Sequence, residues 1–177
     1  MIRAASMVAR PIGSAASART AAAYHEAGHA VMCRIVGLRL KSVSIGSGDW
    51  YAGQTTHRHP SGRAHRRSAL RARIELERDV LVCLAGAIAQ RKHSGSHGDD
   101  GGTIDSAAAR RLAQDHFHSA PTAKAYVAFA GAWAHHLLDV PAVWAAVERV
   151  ALALLHDGTL AGNRAEKLIG DPMADRF

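Results

Sequence analysis

A mainly α-helical domain with one small β-hairpin is the fold class that the sequence predicts, and three observations carry it. Apolar residues recur at helical spacing along most of the chain. Glycine and proline divide those stretches into helix-sized lengths. Alternation of the strand type is confined to one place, where Lys41, Val43 and Ile45 interleave with serines. With 177 residues, 48% of them hydrophobic and 21% charged, the chain suits one globular domain with a real core. The expected organisation is a flexible arm over residues 1–19 and a single domain over residues 20–177.

The Ala-rich run from Thr20 to Val36, TAAAYHEAGHAVMCRIV, predicts a helix, and Gly37 suits the left-handed residue that closes one. A hairpin follows, with Gly46 to Gly48 turning the chain and Trp50 to Thr56 returning it. Its exposed edge around Val43 and Ile45 can hold a peptide as an added strand, with an ordinary covered edge as the alternative. His57 to Arg67 carries four arginines and three histidines without an acid, and reads as a solvated loop. A long helix is predicted over Ser68 to Lys92, with Leu70, Ile74, Leu81, Leu84 and Ile88 as its inward stripe.

His93 to Gly102 is glycine-rich and predicts a loop, after which Thr103 offers an N-cap for a helix to Phe117. Beyond Pro121, a helix is predicted over Ala123 to Leu138, then another opened by Asp139 and Pro141 and stopped by Asp157 and Gly158, with a short last one including Leu168 and Ile169. The chain shows no internal repeat.

Lys plus Arg number 22 against 15 Asp plus Glu, which is compatible with an acidic partner or nucleic acid and does not distinguish them. Two cysteines, Cys33 and Cys83, exclude a disulfide-dense secreted scaffold and suit a reducing, cytoplasmic setting. Every apolar run is interrupted well short of the roughly 18 to 20 residues that span a bilayer, so no membrane span is expected. Arg3, Arg10 and Arg19 among serines and alanines superficially suit a transit peptide, but a disordered arm is the preferred reading.

The chemistry is concentrated in His25, Glu26 and His29, which spell H-E-x-x-H inside the first helix. An i, i+4 separation puts both imidazoles on one face about 6 Å apart along the axis, where they can grip one Zn2+. Glu26 lies about 100° around the helix, outside the coordination shell but placed to act as a general base. Composition alone predicts roughly 0.02 occurrences of the motif in such a chain, so chance explains it poorly. Cys33 continues the face but lies about 12 Å along the axis from His25, too far to share the ion, and reads as packing. A third ligand has to come from elsewhere: Glu75, Glu77, Asp99, Asp100 and Asp105 all qualify, and spacing does not choose among them. Met32 and Ile35 replace the glycine and histidine of the metzincin extension, which removes that class. His93 and His97 with Asp99 and Asp100 are assigned no role.

HEAGHAV, a following strand, LAGAIAQ from Leu84 to Gln90, a glycine loop and TIDSAAARRLA together resemble the peptidase domain of FtsH-type AAA zinc proteases. The resemblance runs from about Thr20 to Ile169, with the closing segment VWAAVERVALALLHDGTLAG the least specific part. It implies a zincin-like helical peptidase domain, a substrate-binding strand after the motif helix, Asp105 as third metal ligand, and zinc-dependent hydrolysis with Glu26 as base. The chain departs from the family in having no G-x-x-x-x-G-K-[ST] nucleotide loop and no anchor. The expectation is therefore a zinc metalloendopeptidase that is ATP-independent by itself and acts on unfolded or flexible polypeptide, with a separate ATPase or a homo-oligomer as open partner classes. A non-catalytic, zinc-containing nucleic-acid-binding module using the basic loop 57–67 is the alternative, although few aromatics accompany those charges for stacking on bases.

Overall fold

The computed structural model describes residues 4–6, 15–46, 53–58, 68–95 and 104–174. Its elements are β1 (Ala4–Ser6), α1 (Ala15–Ile35), β2 (Arg39–Ile45), β3 (Gly53–Arg58), α2 (Ala69–Ser94), α3 (Ile104–Phe117), α4 (Ala120–Asp139), α5 (Pro141–Asp157), β4 (Thr159–Ala161) and α6 (Gly162–Ile169). Helix dominates, as the spacing predicts. A small antiparallel sheet of order β1-β3-β2-β4 packs on α1 through β2 and β3.

α1 is the hub of the core, packed against α2, α5, β2 and β3, and every residue from Ala22 to Cys33 is buried. A helix enclosed on all sides needs small or apolar residues around its whole circumference, which the alanines supply. At Gly28 a Cβ would stand 2.6 Å from the Ala85 carbonyl oxygen and 2.7 Å from the Ala89 Cβ, so α1 and α2 cross with their backbones nearly touching. The helix closes as predicted. Gly37 takes φ +76°, its N–H donates to the Arg34 carbonyl at 3.2 Å, and the Leu38 N–H donates to the Cys33 carbonyl at 2.8 Å. These are the two bonds of the Schellman closure, sealed by the buried Leu38. The other end differs from expectation: α1 begins at Ala15, and Ala4–Ser6 is a strand, so regular structure enters the segment 1–19 expected to be a flexible arm. Ala15, Ala16 and Ala18 extend the same helix-favouring composition backwards.

The hairpin of β2 and β3 forms where alternation predicts it, with a register shift between Leu40 and Ser42. The exposed edge expected around Val43 and Ile45 does not exist. β4 pairs with β2 through Ser42, Val43 and Ser44, Ile45 donates to the Gly158 carbonyl at 2.9 Å, and both apolar side chains are buried. β2 is an inner strand because the segment between α5 and α6 folds back onto it. The Glu166 carboxylate then accepts from the Leu40 N–H at 2.9 Å and ties α6 to the same strand.

Ser68 caps α2 by accepting from the Arg71 N–H, and Gly95 closes it in the left-handed region. The expected inward stripe is correct from Leu81 onward and wrong before it: Leu70 and Ile74 are exposed. Burial begins only at Leu76; before it Arg73 lies over the Phe117 and Tyr126 rings, while Leu70 and Ile74 stay exposed. α4 starts three residues earlier than expected, capped by Ser119, with Pro121 inside its first turn where no N–H is required. Among the described residues no helix is long and apolar enough to cross a membrane. Residues 59–67 of the basic loop lie outside the described residues, as do Thr103, His97, Asp99 and Asp100; His57 and Arg58 belong to β3.

Candidate metal centre

Two helices bring three side chains to one buried point. α1 supplies His25 and His29 from successive turns, and α3 supplies Asp105 from its first turn. All three residues are about 98% buried or more. Nε2 of His25 lies 2.9 Å from Oδ2 of Asp105 and 3.0 Å from Nε2 of His29, and His29 Nε2 lies 3.4 Å from the same oxygen.

The far sides of both rings fix the tautomers. Nδ1 of His29 lies 2.7 Å from the Val82 carbonyl, which can only accept, so the proton sits on Nδ1. Nδ1 of His25 likewise faces Oε1 of Gln90 at 3.0 Å. Each neutral imidazole then turns a lone pair from Nε2 toward the other and toward the Asp105 carboxylate. Three acceptors facing one another across about 3 Å repel unless a cation lies among them. Donors about 2.0 to 2.1 Å from a tetrahedral ion stand about 3.3 Å apart, close to the separations found.

Gly86 of α2 makes the room. A Cβ there would collide with His29 Nε2 and stand 2.6 Å from His25 Nε2. A glycine in a helix interior costs about 1 kcal/mol relative to alanine, so its presence beside two imidazoles is best explained by the space it leaves. Gly28, Gly86 and Gln90 thus form one device: the first lets the helices touch, the second opens the pocket, and the third orients a ligand from behind.

Glu26 is held apart from the three donors. Its Oε2 accepts from the Thr55 hydroxyl at 2.7 Å, and Gly53 leaves the space that Oε1 and Cγ occupy. Burial pushes its carboxyl above the usual range, partly offset by the nearby His29 and His25 and by the Thr55 hydrogen bond. Asp105 shifts the other way: burial opposes its charge, but the His25 and His29 rings set against it outweigh burial and hold it well below an ordinary aspartate. For His29, burial favours the neutral ring, and the carboxylates of Asp105 and Glu26 overcome that and raise it. Two buried carboxylates beside two imidazoles create a demand for positive charge, which protonation meets in part and a divalent ion meets fully.

His25, His29 and Asp105 are brought together as the resemblance implies. Among the described residues, the candidates Glu75 and Glu77 are not part of this group. Glu75 pairs with Arg71 at 3.3 Å, and Glu77 lines a surface groove with Ile74 and Trp133. His93 stacks on Tyr24 with ring centroids 3.6 Å apart. Cys33 and Cys83 are buried thiols, and burial pushes Cys83 up to about 12, so neither is poised as a thiolate. Reading the sequence for ligands passes over Gly86, Gln90, Gly53, Thr55 and the Val82 carbonyl. Only Gly86 leaves a local signal, as a glycine inside a helical pattern.

In comparison with known proteins, no family model and no curated protein matches the chain.

Proposed function

We propose that the chain is a zinc-dependent endopeptidase of the FtsH type, zincin-like in its motif helix, acting on unfolded or flexible polypeptide. The observation that carries this reading is the convergence of Nε2 of His25, Nε2 of His29 and Oδ2 of Asp105 in a pocket kept open by Gly86, with a buried carboxylate on the next residue of the same helix. Two nitrogens and one carboxylate oxygen suit zinc and leave a fourth position for a reactant.

When bound, zinc supplies Lewis-acid chemistry: it polarises the peptide carbonyl and acidifies water. His25, His29 and Asp105 hold it, with Gln90 and the Val82 carbonyl keeping both rings turned inward. Glu26 takes a proton from the attacking water at a carboxylate oxygen and delivers it to the departing amine. An upward-shifted carboxyl suits the first half of that exchange, since a raised proton affinity makes Glu26 a stronger base toward the attacking water. Thr55 fixes one oxygen of Glu26 and leaves the other to move the proton.

The test is zinc analysis of purified protein with cleavage of an unfolded casein-like substrate, with and without chelator. One zinc per chain, chelator-sensitive cleavage, and a Glu26→Gln variant that keeps zinc but loses at least about 100-fold in rate are expected. A Gln variant as active as the parent would remove Glu26 from the chemistry, and protein that takes up no zinc would remove the whole reading.

A further inference from the structure

β3 has two edges. The inner one pairs with β2 along its length, and the outer one pairs antiparallel with β1, Ala4 opposite Thr55, Ala5 opposite Gln54 and Ser6 opposite Gly53. Two of those β3 residues are the ones that hold Glu26: Thr55 donates to its carboxylate, and Gly53 leaves room for it. β1 also packs against α3, the helix that carries Asp105. A strand from the beginning of the described chain therefore lies between the wall that holds the buried carboxylate and the wall that holds the third donor.

The resemblance implies that an extended polypeptide adds to the strand region after the motif helix; we propose that Ala4–Ser6 is the chain's own strand already holding the outer edge of β3, so that an incoming polypeptide has to displace it from that seat. The consequence for catalysis rests on the peptidase reading, whereas the seat itself does not. An edge strand offers its main-chain N–H and C=O groups to any extended backbone, so recognition here demands conformation more than sequence. The ligand class is a flexible polypeptide running antiparallel to β3. A three-residue strand makes few such bonds and is displaceable. Its tether to α1 nevertheless keeps it at an effective concentration on the order of millimolar, so a competing peptide has to be long enough to make more bonds than β1 does.

If the tethered strand holds the edge for about nine-tenths of the time, freeing the edge raises the apparent affinity for an added peptide about tenfold. The variant is Ala4→Pro with Ala5→Pro in the full chain. Successive N–H groups of a strand point to opposite edges, so the pair removes whichever donor faces β3. The probe is a fluorescent peptide of residues 1–10, followed by anisotropy on the parent and the double variant, with helical circular dichroism as the check on folding. About tenfold tighter binding by the variant is expected, with a similar rise in kcat/KM on the casein-like substrate. Equal peptide affinity in the two proteins overturns the proposal. If neither protein hydrolyses casein, the peptidase reading fails and the anisotropy still decides the seat. If the double variant does not fold, hydrogen exchange in the parent decides: with both edges of β3 paired, the amides of Gly53, Gln54 and Thr55 are all protected, and free exchange at any of them overturns the proposal.

Discussion

Gly86→Ala is a small perturbation with a large expected effect in one place only. The added carbon would overlap His29 Nε2 and stand 2.6 Å from His25 Nε2 and 2.7 Å from His25 Cδ2. Comfortable non-bonded contact needs about 3.5 Å, so each ring has to retreat by about 1 Å. Metal–ligand distances tolerate about 0.2 Å, roughly a fifth of that displacement. Zinc affinity is expected to fall at least about 100-fold, equivalent to about 2.8 kcal/mol. The metal-free fold should suffer much less, because overpacking costs about 1–3 kcal/mol while alanine gains about 1 kcal/mol of helix propensity over glycine. Gly131→Ala is the control: it also lies in a helix, but its Cβ meets nothing within 4 Å. It should raise the melting temperature by about 2–4 °C and leave zinc affinity unchanged. The assay is competition with a chromogenic chelator, paired with thermal unfolding of the metal-free proteins. Zinc affinity in Gly86→Ala within about threefold of the parent would refute the assignment of that pocket to the ion.

Gln90→Ala removes the acceptor behind His25 and should lower zinc affinity about 10–100-fold by the same competition assay, with the melting temperature of the metal-free protein little changed. Asp105→Ala should abolish stoichiometric zinc in metal analysis, whereas Glu75→Ala and Glu77→Ala should bind like the parent; the reverse ranking would move the third ligand to α2. Asp157 is held below an ordinary aspartate by the hydrogen bond from His156 and then by Arg164, so it stabilises the folded chain above the usual aspartate range, and this stabilisation is lost as pH falls through its depressed folded value. In Asp157→Asn the melting temperature should therefore vary less with pH across that acid window than it does in the parent, measured on metal-free protein so that zinc release does not contribute.

What was legible in the sequence follows the range over which each interaction acts. The helix over His25 and His29, its Gly37 closure, the start of α2 near Ser68 and of α5 at Pro141, and the alternation of β2 are set by residues a few positions apart, and each forms near where the sequence predicts it. β4 is three residues between Gly158 and Gly162, too short for periodicity to register, and its pairing with β2 depends on a contact across most of the chain. The same omission explains why Val43 and Ile45 were expected at an edge. Leu70 and Ile74 satisfy the helical period as well as Leu81 does, but period does not say which turns of a helix its neighbours cover. At the site, both imidazoles and Glu26 are legible from one turn of helix. Asp105 depends on the resemblance, because no local rule separates it from Glu75 or Glu77. Gln90 and Gly86 become readable only when α2 is laid across α1, at a crossing that Gly28, Ala85 and Ala89 define together.

The pairing of β2 with β4 also sets a timetable for the chain as it is made. Ser42 cannot meet Ala161, nor the Leu40 N–H the Glu166 carboxylate, until the ribosome has added more than a hundred further residues. At about 5–20 residues per second that delay is on the order of ten seconds. Throughout it Val43 and Ile45 are made but uncovered on one side, beside an open strand edge, and a nascent chain in that state is prone to pair with its neighbours on a polysome. The residues that protect the newborn hairpin are thus synthesised long after it, and slowing translation between α5 and α6 would lengthen the exposure while leaving the finished protein unchanged.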